Sequence, residues 1–371
     1  MLGQRFGDDY VMQIAAATGR KKALAGMTLA ELRALARELR EAEYRGGQIA
    51  DWVYRRCVNS IEEMTNLPSA FRERLAEVCA VGLPEVAATQ RSKDGTIKLL
   101  LRLEDGNTVE SVYLPYEDRI SCCISSQVGC PVRCAFCATG MSGYARNLTP
   151  GEVVGQVLRM QQAARTGTPP GEEAPRISHV VFMGMGEPLF NYDTTMKALG
   201  LLNREMGLAM RRMTVSTVGF VPGIRRLTVD QPQITLAVSL HAPNDALRKR
   251  LVPTMHQWGI AEIMGACREY VAATNRRVTF EYCLLDGVND GTAEAEELAA
   301  LLQGLLCHVN LIPYNAVGGT GFQAPSAKRV KDFYEVLSQA GLRVTQRVQR
   351  GADVDAACGQ LRRAEEAGAG S

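Results

Sequence analysis

The chain has 371 residues, 46% of them hydrophobic, with 42 Lys and Arg against 40 Asp and Glu. That is enough apolar material for one large domain plus a smaller one, and too little charge imbalance to announce a nucleic-acid binder. Eleven cysteines is an odd number in a long chain with no charged-then-apolar leader and no long apolar run, which argues against a disulfide-stapled secreted protein or a membrane span.

The expectation is therefore a soluble, cytoplasmic protein whose cysteines are metal-bound, catalytic or buried. From Thr28 to about Ala80 the pattern is helical, with Leu29, Leu32, Leu35, Ala36 and Leu39, then Ile49, Trp52 and Val53, then Phe71, Leu75 and Val78. Cys57 and Cys79 sit on the apolar faces of this small module and read as core. The period then changes: Ile97–Leu103 and Thr108–Leu114 flank Asp105-Gly106-Asn107, a β-hairpin signal. Thr149-Pro150-Gly151-Glu152 is a capping box with proline at the first helical position, opening a helix that carries Val153, Val154, Val157 and Leu158.

Beyond the hairpin, strands are predicted at 118–124, 178–183, 213–217, 234–240, 278–285, 307–313 and 342–348, with helices near 194–206, 260–274, 292–306 and 326–340. Residues 164–176 read as an exposed loop and the last dozen as a frayed tail. Repeated βα units imply a parallel sheet with right-handed crossovers. The class is α/β, a barrel or an incomplete one, with chemistry at the carboxyl ends of the strands. The basic groups Arg211-Arg212, Arg225-Arg226, Arg248-Lys249-Arg250 and Arg276-Arg277 read singly as solvated helix ends.

Every segment of chemical interest follows a predicted strand. Cys130-Pro-Val-Arg-Cys134-Ala-Phe-Cys137 is a C-x3-C-x2-C cluster after the first. Iron–sulfur clusters are usually held by four thiolates, so three at this spacing leave one iron open to a substrate. Met183-Gly-Met-Gly186-Glu187-Pro188 follows the second strand; its glycines permit close backbone approach to a ligand or simply a sharp turn. Ser216 ends the third strand, Ser239-Leu240-His241 the fourth, and Asn315 lies just past Leu311-Ile-Pro-Tyr. His241 reads as either a structural histidine or one facing a cofactor.

The remaining cysteines divide. Cys267, Cys283 and Cys307 fall within helix or strand periodicity and read as small core hydrophobes. Cys358, in Gly351-Ala-Asp-Val-Asp-Ala-Ala-Cys358-Gly359-Gln360, falls over the barrel mouth, and Cys123 lies near it on the first strand. They are either two unrelated buried thiols or a nucleophile with its resolving partner. Cys122 precedes Cys123; strand alternation puts the two on opposite faces, and spacing to the cluster favours Cys123.

The cysteine cluster with the Gly-Glu-Pro turn resembles the radical S-adenosylmethionine (SAM) superfamily. Val109-Glu-Ser-Val-Tyr, Ile124-Ser-Ser-Gln-Val-Gly-Cys, Phe182-Met-Gly-Met-Gly-Glu-Pro-Leu, Ser239-Leu-His-Ala-Pro-Asn-Asp and Asp355-Ala-Ala-Cys-Gly-Gln-Leu narrow the resemblance. Together they resemble the dual-specificity RNA methyltransferases that modify carbon 2 of adenine in 23S rRNA and tRNA. The match runs from about residue 90 to 361. It implies a partial (β/α)6-type radical SAM barrel at 116–350, a helical accessory, RNA-binding domain at 1–90, a β-hairpin extension at 91–115 and a C-terminal segment at 351–371 carrying a catalytic cysteine.

The resemblance also assigns roles. Cys130, Cys134 and Cys137 would ligate one [4Fe-4S] cluster per subunit, and Gly186, Glu187, Ser216, Ser239, Leu240, His241 and Asn315 would hold SAM. Cys358 would be methylated by one SAM, and a radical from a second would activate that methyl for addition to adenine carbon 2. Glu110 would accept the ring proton, and Cys123 would release the product by forming a disulfide with Cys358. Implied partners are 23S rRNA, in its peptidyl-transferase region, tRNA at adenosine 37, and a flavodoxin- or ferredoxin-type electron donor; the enzyme would be a monomer with no membrane attachment. The target base would be unpaired or flipped out. The carbon-8 methylating relative shares most of these motifs, but Pro188, where that relative tends to have alanine, favours carbon 2. A radical activator of a partner enzyme would have no need of Cys358, and a non-enzymatic scaffold would bind zinc.

Overall fold

The computed structural model describes residues 21–166, 168, 174–254 and 257–361. The expected tail from 362 onward, and 167 and 169–173 of the expected loop, lie outside the described residues. The chain divides into two compact units. One takes the described residues up to Val86 together with those of Leu148–Ile177 and Asp193–Ala209; the other takes Ala87–Asn147, Ser178–Tyr192 and those from Met210 onward.

In the first unit, strand β1 (Lys22–Ala23) pairs in parallel with β2 (Cys79–Ala80) beside helices at Leu29–Glu38, Tyr44–Ala50 and Ser69–Val78. The helical period buries Leu32, Leu35, Ala36, Phe71, Leu75 and Val78, as the sequence predicts. Complete burial of each leucine or phenylalanine contributes about 1.5–3 kcal/mol. The Tyr54 hydroxyl donates to the Met27 carbonyl and accepts the Gly26 N–H at 3.1 Å, fixing the turn that leads into the first helix. The predicted capping box is present: the Glu152 N–H donates to Thr149 Oγ1 at 3.3 Å, and the Thr149 N–H to the Glu152 carboxylate at 2.8 Å. It opens the helix Pro150–Thr166. Gly26, at φ +96°, lies so close to this helix start that a Cβ on it would sit 2.5 Å from the Gly151 nitrogen.

The second unit is built on a mixed sheet. Its antiparallel edge comprises β3 (Glu85–Arg91), β4 (Ile97–Arg102) and β5 (Thr108–Pro115), and β6 (Ile120–Cys123) pairs antiparallel to β5. A separate two-stranded ribbon, β7 (Gln127–Gly129) and β8 (Tyr144–Asn147), follows. The sheet resumes with β9 (His179–Phe182), β10 (Met213–Thr217), β11 (Thr235–Ser239), β12 (Val278–Leu284), β13 (Cys307–Pro313) and β14 (Val344–Gln346). From β6 to β14 these strands pair in parallel and in chain order. They coincide with the predicted strands, and β14 and β3 are left as the two edges, so the barrel is partial.

Three helices in this unit, the short Ala138–Met141 together with Val221–Asp230 and Asp245–Leu251, have no counterpart in the sequence reading. Val221-Pro222-Gly223 looks like a turn, but proline in the first helical turn sacrifices only an N–H that has no intrahelical acceptor.

Candidate active site

One cavity opens at the carboxyl ends of the parallel strands, and the loops leaving β6, β9, β10, β11 and β13 converge on it. After β6 the β7–β8 ribbon pinches off the cysteine loop: the Cys130 N–H donates to the Gly143 carbonyl at 2.8 Å, and the Cys137 N–H to that of Cys134 at 3.1 Å. Cys130, Cys134 and Cys137 are half-buried and line the cavity.

The turn after β9 is locked to the same loop. The Ser126 and Gln127 N–H groups both donate to the Met185 carbonyl, at 2.8 and 3.2 Å. Gly186 has φ +101°, and a Cβ there would lie 2.6 Å from that of Gln127, so only glycine fits. Glu187 is buried; one carboxylate oxygen accepts the Val218 N–H at 2.7 Å and the other the Leu189 N–H at 3.1 Å. Burial pushes its carboxyl up to about 7, against the pull of these hydrogen bonds. Glu187 thus ties the turn after β9 to the end of β10, as well as lining the cavity.

Ser216 and Ser239 line the cavity from β10 and β11. His241 follows in the left-handed region at φ +59°, its Nδ1 accepting the Cys283 N–H at 3.0 Å and its ring edge-on to Phe136. Burial pushes its pKa down to about 3, so the imidazole is neutral with the proton on Nε2. Leu240 is fully buried and does not line the cavity; its N–H donates to the Glu281 carbonyl. Arg248 gathers these loop ends, donating to the carbonyls of Val218, Ser239 and Leu240.

The C-terminal segment crosses the cavity. The Asn315 amide donates to the Cys358 carbonyl at 3.0 Å and accepts from Gln349 at 2.7 Å. The Ala138 N–H donates to the Gly359 carbonyl at 2.8 Å, and the Gln360 amide to that of Ala316 at 3.1 Å. Cys358 and Asn315 both line the cavity. So does Cys123, whereas Cys122 is fully buried and does not. The register explains this: Cys123 pairs with Val112 and Cys122 with Tyr113, so the neighbours point to opposite faces.

Glu110 lies on β5 with the parity of Val112 and Leu114, the face that Cys123 shares, but does not itself line the cavity. Its carboxylate is 3.2 Å from Lys98 Nζ. Among the cavity residues with no counterpart in the sequence reading are Tyr116, Glu281 and Arg347. Cys283, read as core, is packed in an apolar cluster and also meets the cavity. A carboxylate in the apolar run Val278-Thr-Phe-Glu281-Tyr-Cys-Leu was the available signal for Glu281; nothing in the spacing marks Arg347. Burial raises the Cys358 thiol and opposes the Arg347 charge, while their mutual attraction lowers the first and raises the second.

The donor set fits an iron–sulfur cluster. Burial pushes Cys130 up to about 12 and Cys134 well above the ordinary thiol range, and neighbouring cysteines add to both shifts. Thiols crowded in this way ionise together only against a cationic centre. Among the described residues no three His, Cys, Asp or Glu side chains converge closely enough for a single metal ion. Ligands to separate corners of a cluster stand further apart than ligands to one ion.

The comparisons agree with this geometry. Residues 124–301 match the family model of the radical SAM superfamily, and residues 22–81 match that of the ribosomal RNA large subunit methyltransferase N-terminal domain. A Rhodospirillum rubrum protein described as dual-specificity RNA methyltransferase RlmN is 46% identical over 342 residues, covering 91% of this chain and 80% of its own. A Thermosynechococcus vestitus protein described as a probable RlmN is also 46% identical, over 92% of this chain and 98% of its own. The crystal structure of a radical SAM methyltransferase from Sphaerobacter thermophilus superposes with TM-score 0.88 at 47% identity, covering 92% of this chain and 99% of its own. Radical SAM enzymes as a family use a [4Fe-4S] cluster and SAM. This chain belongs to the RlmN family of dual-specificity RNA methyltransferases and is a radical SAM RNA methyltransferase.

Proposed function

We propose that the enzyme methylates carbon 2 of an unpaired or flipped-out adenosine, in the peptidyl-transferase region of 23S rRNA and at position 37 of tRNA, with the methyl group passing through Cys358. Cys130, Cys134 and Cys137 would hold the cluster. Gly186, Glu187, Ser216, Ser239, His241 and Asn315 would hold SAM beside it, with Leu240 setting the backbone between Ser239 and His241. Bound together, cluster and SAM supply the one-electron chemistry that makes a methyl hydrogen on carbon abstractable.

The rest falls to the chain's own side chains. Cys358 presents the methyl inside a cavity whose walls, Phe136 and Cys283 among them, exclude water. Glu110, which stands just behind the cavity wall on the face that Leu114 and Cys123 share, would take the proton from carbon 2 of the tethered base once its side chain turns toward the cavity. Once the adduct has given up its unpaired electron, which the cluster would accept, the Cys123 thiolate would attack the Cys358 sulfur: a Cys123–Cys358 bond forms, the bond from that sulfur to the methylene carbon breaks, and the carbon takes a proton. An external dithiol would reduce the resulting disulfide, and a flavodoxin- or ferredoxin-type protein would deliver the electrons for SAM cleavage. The enzyme would act as a monomer in the cytoplasm, where its substrates are. Dual specificity in the relatives' descriptions supports an rRNA and a tRNA substrate, and Pro188, which opens the turn Pro188–Asn191, supports carbon 2 over carbon 8.

One observation carries this reading: Cys123 and Cys358 share a single cavity with the three cluster cysteines. The test is to purify Cys123→Ala anaerobically with its RNA and analyse it by mass spectrometry. A stable protein–RNA adduct through Cys358 is expected. Release of methylated RNA without an adduct would overturn Cys123 as the resolving thiol.

A further inference from the structure

Lys98 is a lysine buried on a strand, and it contacts two separate parts of the site. It sits on β4 opposite Val112, which in turn sits opposite Cys123, so the three form one row on the face toward the cavity. Glu110 faces Leu100 across the hairpin, which makes Lys98 its diagonal neighbour, within reach of a long side chain. Lys98 Nζ lies 3.2 Å from the Glu110 carboxylate and also donates to the Asp355 carbonyl at 3.2 Å. Asp355 belongs to the segment that carries Cys358. That segment also meets the turn between β3 and β4, where Asp94 accepts the Gly351 N–H at 3.0 Å.

A buried ion pair is a poor choice for stability alone, because desolvating both charges offsets most of their attraction and an apolar pair would serve as well. Both side chains are nonetheless less than a tenth exposed. We propose that Lys98 is a positioning residue: it holds the Glu110 carboxylate in register with the Cys358-bearing segment, so that base and methyl-carrying sulfur keep a fixed relation during proton removal. This rests on the roles given above to Glu110 and Cys358.

The test uses the full-length, cluster-loaded enzyme, RNA deuterated at carbon 2 of the target adenine, and Lys98→Met, Lys98→Arg, Glu110→Gln and the double variant Lys98→Met/Glu110→Gln. Lys98→Met is expected to slow loss of the carbon-2 hydrogen by about tenfold or more, within the range of general-base effects, and to enlarge its isotope effect. Lys98→Arg is expected to restore most of the rate. In the double variant, Lys98→Met should add little to Glu110→Gln, because the lysine acts through the glutamate. Hydrogen exchange of the 351–361 backbone, measured without RNA, should rise in Lys98→Met while the helices keep their protection.

Unchanged hydrogen loss in a folded Lys98→Met, or losses that multiply independently in the double variant, would overturn the proposal. Wild-type hydrogen loss in Glu110→Gln would instead remove Glu110 as the base. The exchange measurement would then report separately whether Lys98 orders the Cys358 segment.

Discussion

Cysteines occur in both units, and they meet different surroundings in each. In the first unit Cys57 and Cys79 are buried, and desolvation dominates, pushing Cys79 up to about 12. In the cavity of the second, Cys123 is pushed up equally far, to about 12, yet it lines one cavity with Cys358 and Arg347, and the Arg347 charge pulls both thiols down against burial. Cys57 and Cys79 also have cations nearby, so what sets Cys123 and Cys358 apart is that two thiols share one open cavity, where each can meet a reaction partner. The first unit spends its apolar residues on packing, whereas the second keeps Glu187, His241, Glu281 and Lys98 buried where apolar groups would pack better.

The comparison can be broken most directly at the thiols. Cys358→Ala is expected to lower RNA methylation by about a thousandfold or more, the scale of deleting a nucleophile, with little change in thermal stability. Cys79→Ala is expected to do the reverse, and both follow from transfer of labelled methyl to RNA beside a melting curve. Next in size, Phe71→Ala should destabilise the protein by about 3–5 kcal/mol through a core cavity, read from urea unfolding, with normal methylation per folded molecule. If it lowered turnover per folded molecule as well, the two units would not divide stability from chemistry. The smallest effect sharpens the same division: Thr149→Ala removes the side-chain cap of the helix Pro150–Thr166 and should cost about 1 kcal/mol, with no change in product.

Much of this was legible in advance, for identifiable reasons. The parallel strands are short apolar runs bounded by turn residues, and the first-unit helices bury the positions that their period marks. The cysteine spacing and the Gly-Glu-Pro turn are each contiguous motifs that the chain itself marks, whereas the cysteine at 358 reaches the same cavity only through the fold. The helix Asp245–Leu251 escaped because it is short and its last turn is basic, which looks like a solvated surface. Its Arg248 in fact lies buried beneath the loops that end β10 and β11.

By itself, then, the sequence determined the α/β class, the positions of the parallel strands and the family, and it marked the three cysteines that would hold a cluster, because each is written in local periodicity or local spacing. Only the tertiary structure decided that Cys123 rather than Cys122 meets the cavity, that Glu187 spends both oxygens on backbone N–H groups, and that Arg347, Glu281 and Tyr116 join the site. It also decided that Lys98 spans 257 residues of chain to reach Asp355. These depend on strand register and on segments far apart in the chain, and register fixes which way a side chain points only once the neighbouring strand is in place.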